Sequence, residues 1–327
     1  MPQHRDHYTP QPLPGVYHRM TPRAERIIAL FDERHGYRLL RSTHVIEFLK
    51  YFNEEISEQR TVRCLRWLMD ERALLRIRYD PDSKTLAQGS LPKIYGKNTR
   101  RNQALNERRT KPSRVVPHAL ELANTISFGV VRPSRESEGR LRFIDAPDIL
   151  QRSRTRNGKP PAKPFTWETQ VTYRGKVIES SVTPDRLFGT MSAATSEAWF
   201  YALEEDRTTE PNQRDDFSFE SGTSIFRKFL TYVFAYHARV PFELYGIKGF
   251  RILFVTDSQT RIDNVLPIWK RANDALKEFQ RQSRLPVRPV PNNVLLCIDR
   301  PTLRASDIFT VPWTNGRGDR VALDLPA

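Results

Sequence analysis

Two apolar runs separated by a long helical segment constrain this 327-residue chain more than any other feature. Phe250-Arg-Ile-Leu-Phe-Val255 and Asn293-Val-Leu-Leu-Cys-Ile298 are almost continuously apolar. A strand with one wet face alternates, whereas an unbroken apolar run suits a strand covered on both faces, as in a parallel sheet between helices. Residues 261–282, lying between the runs, have helical patterning. A buried strand, a helix and a last clear strand commit this part of the chain to a layered α/β architecture.

Charge divides the chain into unlike halves. Residues 1–116 hold 23 basic and 13 acidic residues, an excess of +10 out of a total of +15. A basic half joined to a near-neutral half implies a polyanion-binding module attached to something else. Nucleic acid fits best, because arginine predominates and its forked donors match phosphates and guanine edges. The two cysteines, Cys64 and Cys297, are far apart in sequence, which argues against a disulfide framework or a thiolate zinc site and fits a reducing cytoplasm. The first residues lack the apolar core of a signal peptide, and the sequence has no run of about 18 apolar residues, so no membrane span is expected. Residues 1–20 are polar with four prolines and read as a flexible arm.

Residues 21–96 read as a winged helix-turn-helix. Thr21-Pro22 is a helix start, with a capping hydroxyl followed by proline in the first turn. Ser42 or Thr43 caps a second helix and Ser57 a third, which runs to about Ala73. Leu74-Leu-Arg-Ile-Arg-Tyr79, a turn at 80–83 and Lys93-Ile-Tyr-Gly96 form the expected hairpin. On the third helix Val62, Leu65, Leu68 and Met69 share one face at 100° per residue. Arg60, Arg63 and Trp67 share the other, with Arg66 at its border. Such a face is either simply solvated or a recognition surface for a DNA groove; the following hairpin and the local charge favour double-stranded DNA.

Residues 97–116, including Arg100 and Arg101, form a basic linker that also suits phosphate contact. A helix is expected from about Pro117 to Val130, then a polar stretch at 132–164 with a loop at 152–158. Strands follow at 165–173, at 176–183 continuing through 186–189, and at 198–203. Next come a polar acidic loop at 207–221 and a helix from Thr223 or Ser224 to about Ala238. The expected order from Pro117 is α-β-β-β-α-β-α-β, a second domain over 117–327 with a central mixed sheet.

Chemistry centres on Val182-Thr-Pro-Asp185, on Leu203-Glu-Glu-Asp206 and on Lys228. Metal-assisted phosphodiester cleavage needs carboxylates that hold Mg²⁺ or Mn²⁺ against water and phosphate. A lysine that positions the water or stabilises the charge of the phosphorane commonly completes such a site. Asp185 lies at a strand end; Glu204 and Asp206, two apart, would point to one side of the next strand. The trio Asp185, Glu204 and Asp206 is therefore the candidate metal set, with Asp185, Glu204 and Lys228 the catalytic set. Strand-end acids also pair with arginines such as Arg186 and Arg207, and Lys228 equally suits an exposed position. Glu121, His118, His237 and Arg261 are weaker candidates, each with an ordinary structural explanation.

The order of elements, with Pro184-Asp185 on one strand and Glu204 on the next, resembles the PD-(D/E)xK nuclease fold, that is, a restriction-endonuclease-like α/β domain. Asp206 stands where that pattern has lysine, and some of its branches carry the lysine on the following helix, where Lys228 is. The chain from about Thr21 to Leu325 resembles a narrower group, the replication-relaxation family of plasmids and other mobile elements. Its blocks here are Ile94-Tyr-Gly96, Pro117-His118, Pro184-Asp-Arg-Leu-Phe188, Ala202-Leu-Glu-Glu-Asp-Arg-Thr-Thr-Glu210, the Lys228, Tyr232 and Tyr236 helix, Leu253-Phe-Val-Thr256 with Arg261, and Trp313-Thr-Asn-Gly316. Thr208 replaces the glycine usual in the middle block. The resemblance implies a DNA-binding protein of plasmid replication, relaxation or transfer. The partners expected for such a protein, besides DNA, are a second copy of itself or the replication and transfer proteins of its element. Its second domain is either an Mg²⁺-dependent endonuclease or nickase, or a non-catalytic replication or transcription factor built on a degenerate nuclease fold.

Overall fold

The computed structural model describes residues 20–31, 37–52, 57–71, 73–76, 94–99, 102–103, 112–151, 153, 163–207 and 224–323. Most of the arm, the 80–83 turn, Arg100 and Arg101, most of the 152–158 loop and nearly all of the acidic loop lie outside them. The chain is a mixed α/β protein that divides into two compact units, 1–135 and 136–327.

The first unit orders α1 (Pro22–Leu30), β1 (Leu39–Arg41), α2 (Ser42–Tyr51), α3 (Glu58–Asp70), β2 (Leu74–Arg76) and β3 (Ile94–Lys97). Its three strands form an antiparallel sheet in the order β1-β3-β2. Thr21 caps α1 and Ser57 caps α3, each side chain accepting a backbone N–H three residues on. Thr61, Leu65, Leu68 and Met69 are the buried side of α3, with Val62 only partly covered.

The helix after the linker differs from expectation. It runs from Pro112 to Ile126 as α4, so Pro117 lies inside it and Pro112 takes the permissive first position. It also packs on the first unit, where Leu39, Ile94, Val116 and Leu120 form one apolar cluster. His44 Nδ1 accepts the Arg41 N–H at 3.2 Å, which leaves the proton on Nε2 to be donated to Asn124 Oδ1 at 2.8 Å. Burial pushes that imidazole down to about 4, so it stays neutral and structural. A single turn with wider hydrogen bonding, Ser127–Val131, leads into α5 (Arg132–Glu136). Arg132 and Arg135 reach back to Glu47 of α2 at 3.4 and 3.2 Å. The helix expected to open the second domain therefore completes the first.

The second unit is built on a seven-stranded sheet in the order β12-β11-β10-β9-β8-β7-β4. In chain order these strands are β4 (Leu141–Ile144), β7 (Arg186–Ser192), β8 (Ala198–Glu205), β9 (Phe250–Thr256), β10 (Leu295–Asp299), β11 (Trp313–Asn315) and β12 (Arg320–Val321). β8, β9 and β10 are parallel and the outer pairings antiparallel, so the two apolar runs lie side by side in the middle of the sheet.

The strands at 165–183 are not in that sheet. β5 (Trp167–Tyr173) and β6 (Lys176–Val182) form a separate two-stranded hairpin. Arg174 and Gly175, both at positive φ, make its two-residue turn. Pro184 has no N–H to donate, and the chain leaves the hairpin there to enter β7 in the main sheet. The sheet's first strand is instead β4, four residues inside the stretch read as polar. Between β4 and β5 lies the short helix α6 (Ala146–Gln151).

The helices of this unit explain why the hairpin stands apart. α7 (Ile225–His237) is apolar nearly all round, with Ile225, Phe226, Phe229, Leu230, Tyr232, Val233, Phe234 and Ala235 buried. Such a helix needs cover on both sides. It packs against α9 (Gln259–Gln282) and beneath the hairpin. Trp167, with no exposed surface, meets Tyr232 edge-on at 5.5 Å and Phe250 at 4.7 Å. α8 (Val240–Tyr245) and α10 (Arg300–Arg304) complete the set. Gly316 presses on the Trp269 ring, where an added Cβ would sit 2.4 Å from Nε1.

Candidate active site where β7, β8 and α7 meet

The pairing of β7 with β8 sets the first two groups. Arg186 lies opposite Leu203, which places Asp185, one residue before β7, beside Glu204 near the end of β8. The Asp185 Oδ2 accepts the Glu205 N–H at 2.8 Å. Glu204 is 1% exposed, so its carboxylate must find its donors inside the protein.

Those donors come from α7. Ser224 caps the helix and fixes where it begins, its hydroxyl accepting the Arg227 N–H at 3.2 Å. Lys228 and Tyr232, one turn apart, share a side of the helix. The Lys228 ammonium donates to Glu204 Oε2 at 2.9 Å, and the Tyr232 phenol donates to Oε1. Lys228 is thus aimed at Glu204. Tyr232 was not foreseen as a partner, though its spacing from Lys228 was a usable signal.

Electrostatics set this carboxyl apart. Burial pushes Glu204 up, Lys228 pulls it down, Asp185 pushes it up again, and the net value is about 7. Burial and the adjacent Glu204 charge hold the Tyr232 phenol well above its ordinary value, so it remains a donor.

Asp206, expected as a third ligand, is engaged elsewhere. It lies one residue past β8, where strand alternation no longer governs direction. Its Oδ2 accepts from Arg261 Nε at 2.7 Å and from Thr256 Oγ1 at 3.2 Å. Glu205 faces Arg300, whose Nη2 lies 3.3 Å from Oε2 and also donates to the Asp206 carbonyl at 3.1 Å. Among the described residues, no three His, Cys, Asp or Glu side chains converge to hold a metal. The acidic set is the pair Asp185 and Glu204. Of the other arginines considered, Arg186 pairs with Asp145.

The expected DNA-contacting residues of α3 lie in the first unit. Arg60, Arg63 and Arg66 are exposed and Trp67 is half-buried. Glu121 is on α4 of the same unit, near enough to His44 to act on its charge. His237 is bonded to Gln280 at 3.2 Å. No described helix is long and apolar enough to cross a membrane. No family model, no curated protein and no solved structure matches the chain.

Proposed function

We propose that the chain is a cytoplasmic DNA-binding protein of the replication-relaxation type whose second unit cuts DNA phosphodiesters with Mg²⁺ or Mn²⁺. The observation that carries this reading is Lys228 within 2.9 Å of a buried glutamate that lies beside Asp185. The topology supports a nuclease-fold interpretation of this unit. β4, β7 and β8 run antiparallel in order, α7 follows, and β9 returns parallel to β8. The hairpin is then an insertion between the first and second strands of that core. The order helix, strand, helix, helix, strand, strand, with its β1-β3-β2 sheet, supports the winged-helix reading of the first unit. Three exposed arginines on α3 support its contact with duplex DNA.

The donor set fits the metal. Mg²⁺ is usually held by one or two carboxylates, with waters and substrate phosphate filling its other positions. Asp185 and Glu204 supply two neighbouring carboxylates, the number such an ion takes from protein. Bound there, the metal would supply a more acidic water and charge neutralisation at the phosphate. Asp185 and Glu204 would hold it, Tyr232 would keep Glu204 oriented, and Lys228 would stabilise the phosphorane's negative charge.

Supercoiled plasmid incubated with Mg²⁺ tests the reading. Wild type nicks or linearises it, whereas Asp185→Ala and Glu204→Gln do not, and both variants still shift duplex DNA in a gel. Cleavage by Asp185→Ala at the wild-type rate refutes the assignment. A non-catalytic replication or transcription factor is the second reading, favoured by the engagement of Asp206 with Arg261. An inert wild type that binds DNA selects it.

A further inference from the structure

Glu204 has both oxygens occupied by protein donors, and the two donors differ in one respect. Tyr232 has no exposed surface and is wedged against Trp167. Lys228 reaches Glu204 from the first turn of α7 with 23% of its side chain exposed, against 2% for Glu204. The phenol has nowhere to go, while the ammonium has a short path to solvent on a flexible four-carbon stem.

Lys228 rests on an oxygen that the metal of the proposed site would need. A Mg²⁺ ion binds carboxylate oxygen at about 2.0–2.1 Å. An ammonium on that same oxygen, at 2.9 Å in this structure, would face the ion at close range and be repelled. Resting on the nuclease reading above, we propose that Lys228 is the resident counter-ion of Glu204 and that the metal displaces it. Tyr232 keeps its bond to Oε1 through the exchange. The ammonium so released becomes the cation that meets the substrate phosphate. Lys228 thereby lowers metal affinity while serving the reaction, and before the metal arrives it offsets the charge of Glu204.

Calorimetric titration of the full chain with Mg²⁺ at pH 7, 8 and 9 tests this without relying on cleavage. At pH 9, Lys228→Met binds Mg²⁺ roughly fivefold tighter than wild type, a factor equivalent to about 1 kcal/mol, while its plasmid cleavage falls. Lys228→Gln, which keeps a polar tip, tightens binding in the same direction. Unchanged or weaker binding by both variants overturns the displacement. Asp185→Ala separates the two claims. If it abolishes Mg²⁺ uptake, the site stands whatever Lys228 does; if it binds as wild type does, site and displacement fall together.

Discussion

Replacing Tyr232 by phenylalanine removes one hydroxyl from a fully buried bond and leaves Glu204 Oε1 without that donor. The cost depends on the charge of Glu204. Its folded-state value of about 7 lies above the ordinary glutamate value of 4.5, so the native state holds the proton more tightly than the unfolded chain does. That contribution to stability is complete below pH 4.5 and is lost as pH rises through about 7; the shift corresponds to about 3 kcal/mol. At pH 5.5 the carboxyl is largely protonated, and losing a neutral hydrogen bond costs about 1 kcal/mol. At pH 8 it is ionised, and losing a bond to a charged acceptor costs about 1.5–3 kcal/mol. Tyr232→Phe therefore costs more at pH 8 than at pH 5.5, by about 1 kcal/mol. For a unit of this size, 2 kcal/mol is a fall in melting temperature of roughly 4–8 °C. Tryptophan fluorescence reports it well, since four of the five tryptophans (167, 199, 269 and 313) lie in the second unit. An equal loss at both pH values, or a larger one at pH 5.5, refutes the claim that the phenol supports an ionised Glu204.

Two further outcomes follow from named contacts. Arg60→Ala with Arg63→Ala weakens duplex binding and lowers the slope of log affinity against log salt by about 1.8, or 0.9 per phosphate contact, in anisotropy titrations; an unchanged slope removes α3 from the DNA surface. Arg261→Met leaves Asp206 buried without its guanidinium and destabilises the second unit by about 3–5 kcal/mol, measured by urea unfolding. Adding Asp206→Asn recovers part of that loss; failure to recover any of it would show that Arg261 acts through packing alone.

The elements legible in the sequence were those whose signal is local. The apolar runs at 250–255 and 293–298 became the adjacent parallel strands β9 and β10, because a doubly covered strand must be apolar on both faces. The serine caps at Ser57 and Ser224 also announced α3 and α7. What failed was partner choice. β5 and β6 look like any alternating hairpin, and nothing within them says that they cover a helix instead of joining the sheet. β4 is four residues long, too short for its alternation to stand out from a polar stretch. Pro117 suits a helix start because proline favours that place, but Pro112 already occupies it. The separation of Asp185 from Glu204 was readable once the strands were placed, since register alone makes them neighbours.

The division of labour among Glu204, Glu205 and Asp206 was not readable, and it bears most directly on the site. Three consecutive acids meet three different cations, Lys228, Arg300 and Arg261 respectively. Two of these are guanidiniums, planar forks that hold an acid in a fixed geometry. Arg300 also grips the Asp206 carbonyl and Asp257, and Arg261 at the start of α9 holds the Asp206 carboxylate, so both arginines tie the end of β8 to segments that follow it in the chain. Glu204 is paired with an ammonium, and burial beside Asp185 raises its value to about 7. An arginine in place of Lys228 would fix Glu204 as firmly as its neighbours are fixed. The single lysine therefore separates the acid that can exchange its cation from the two that hold the strand ends in place.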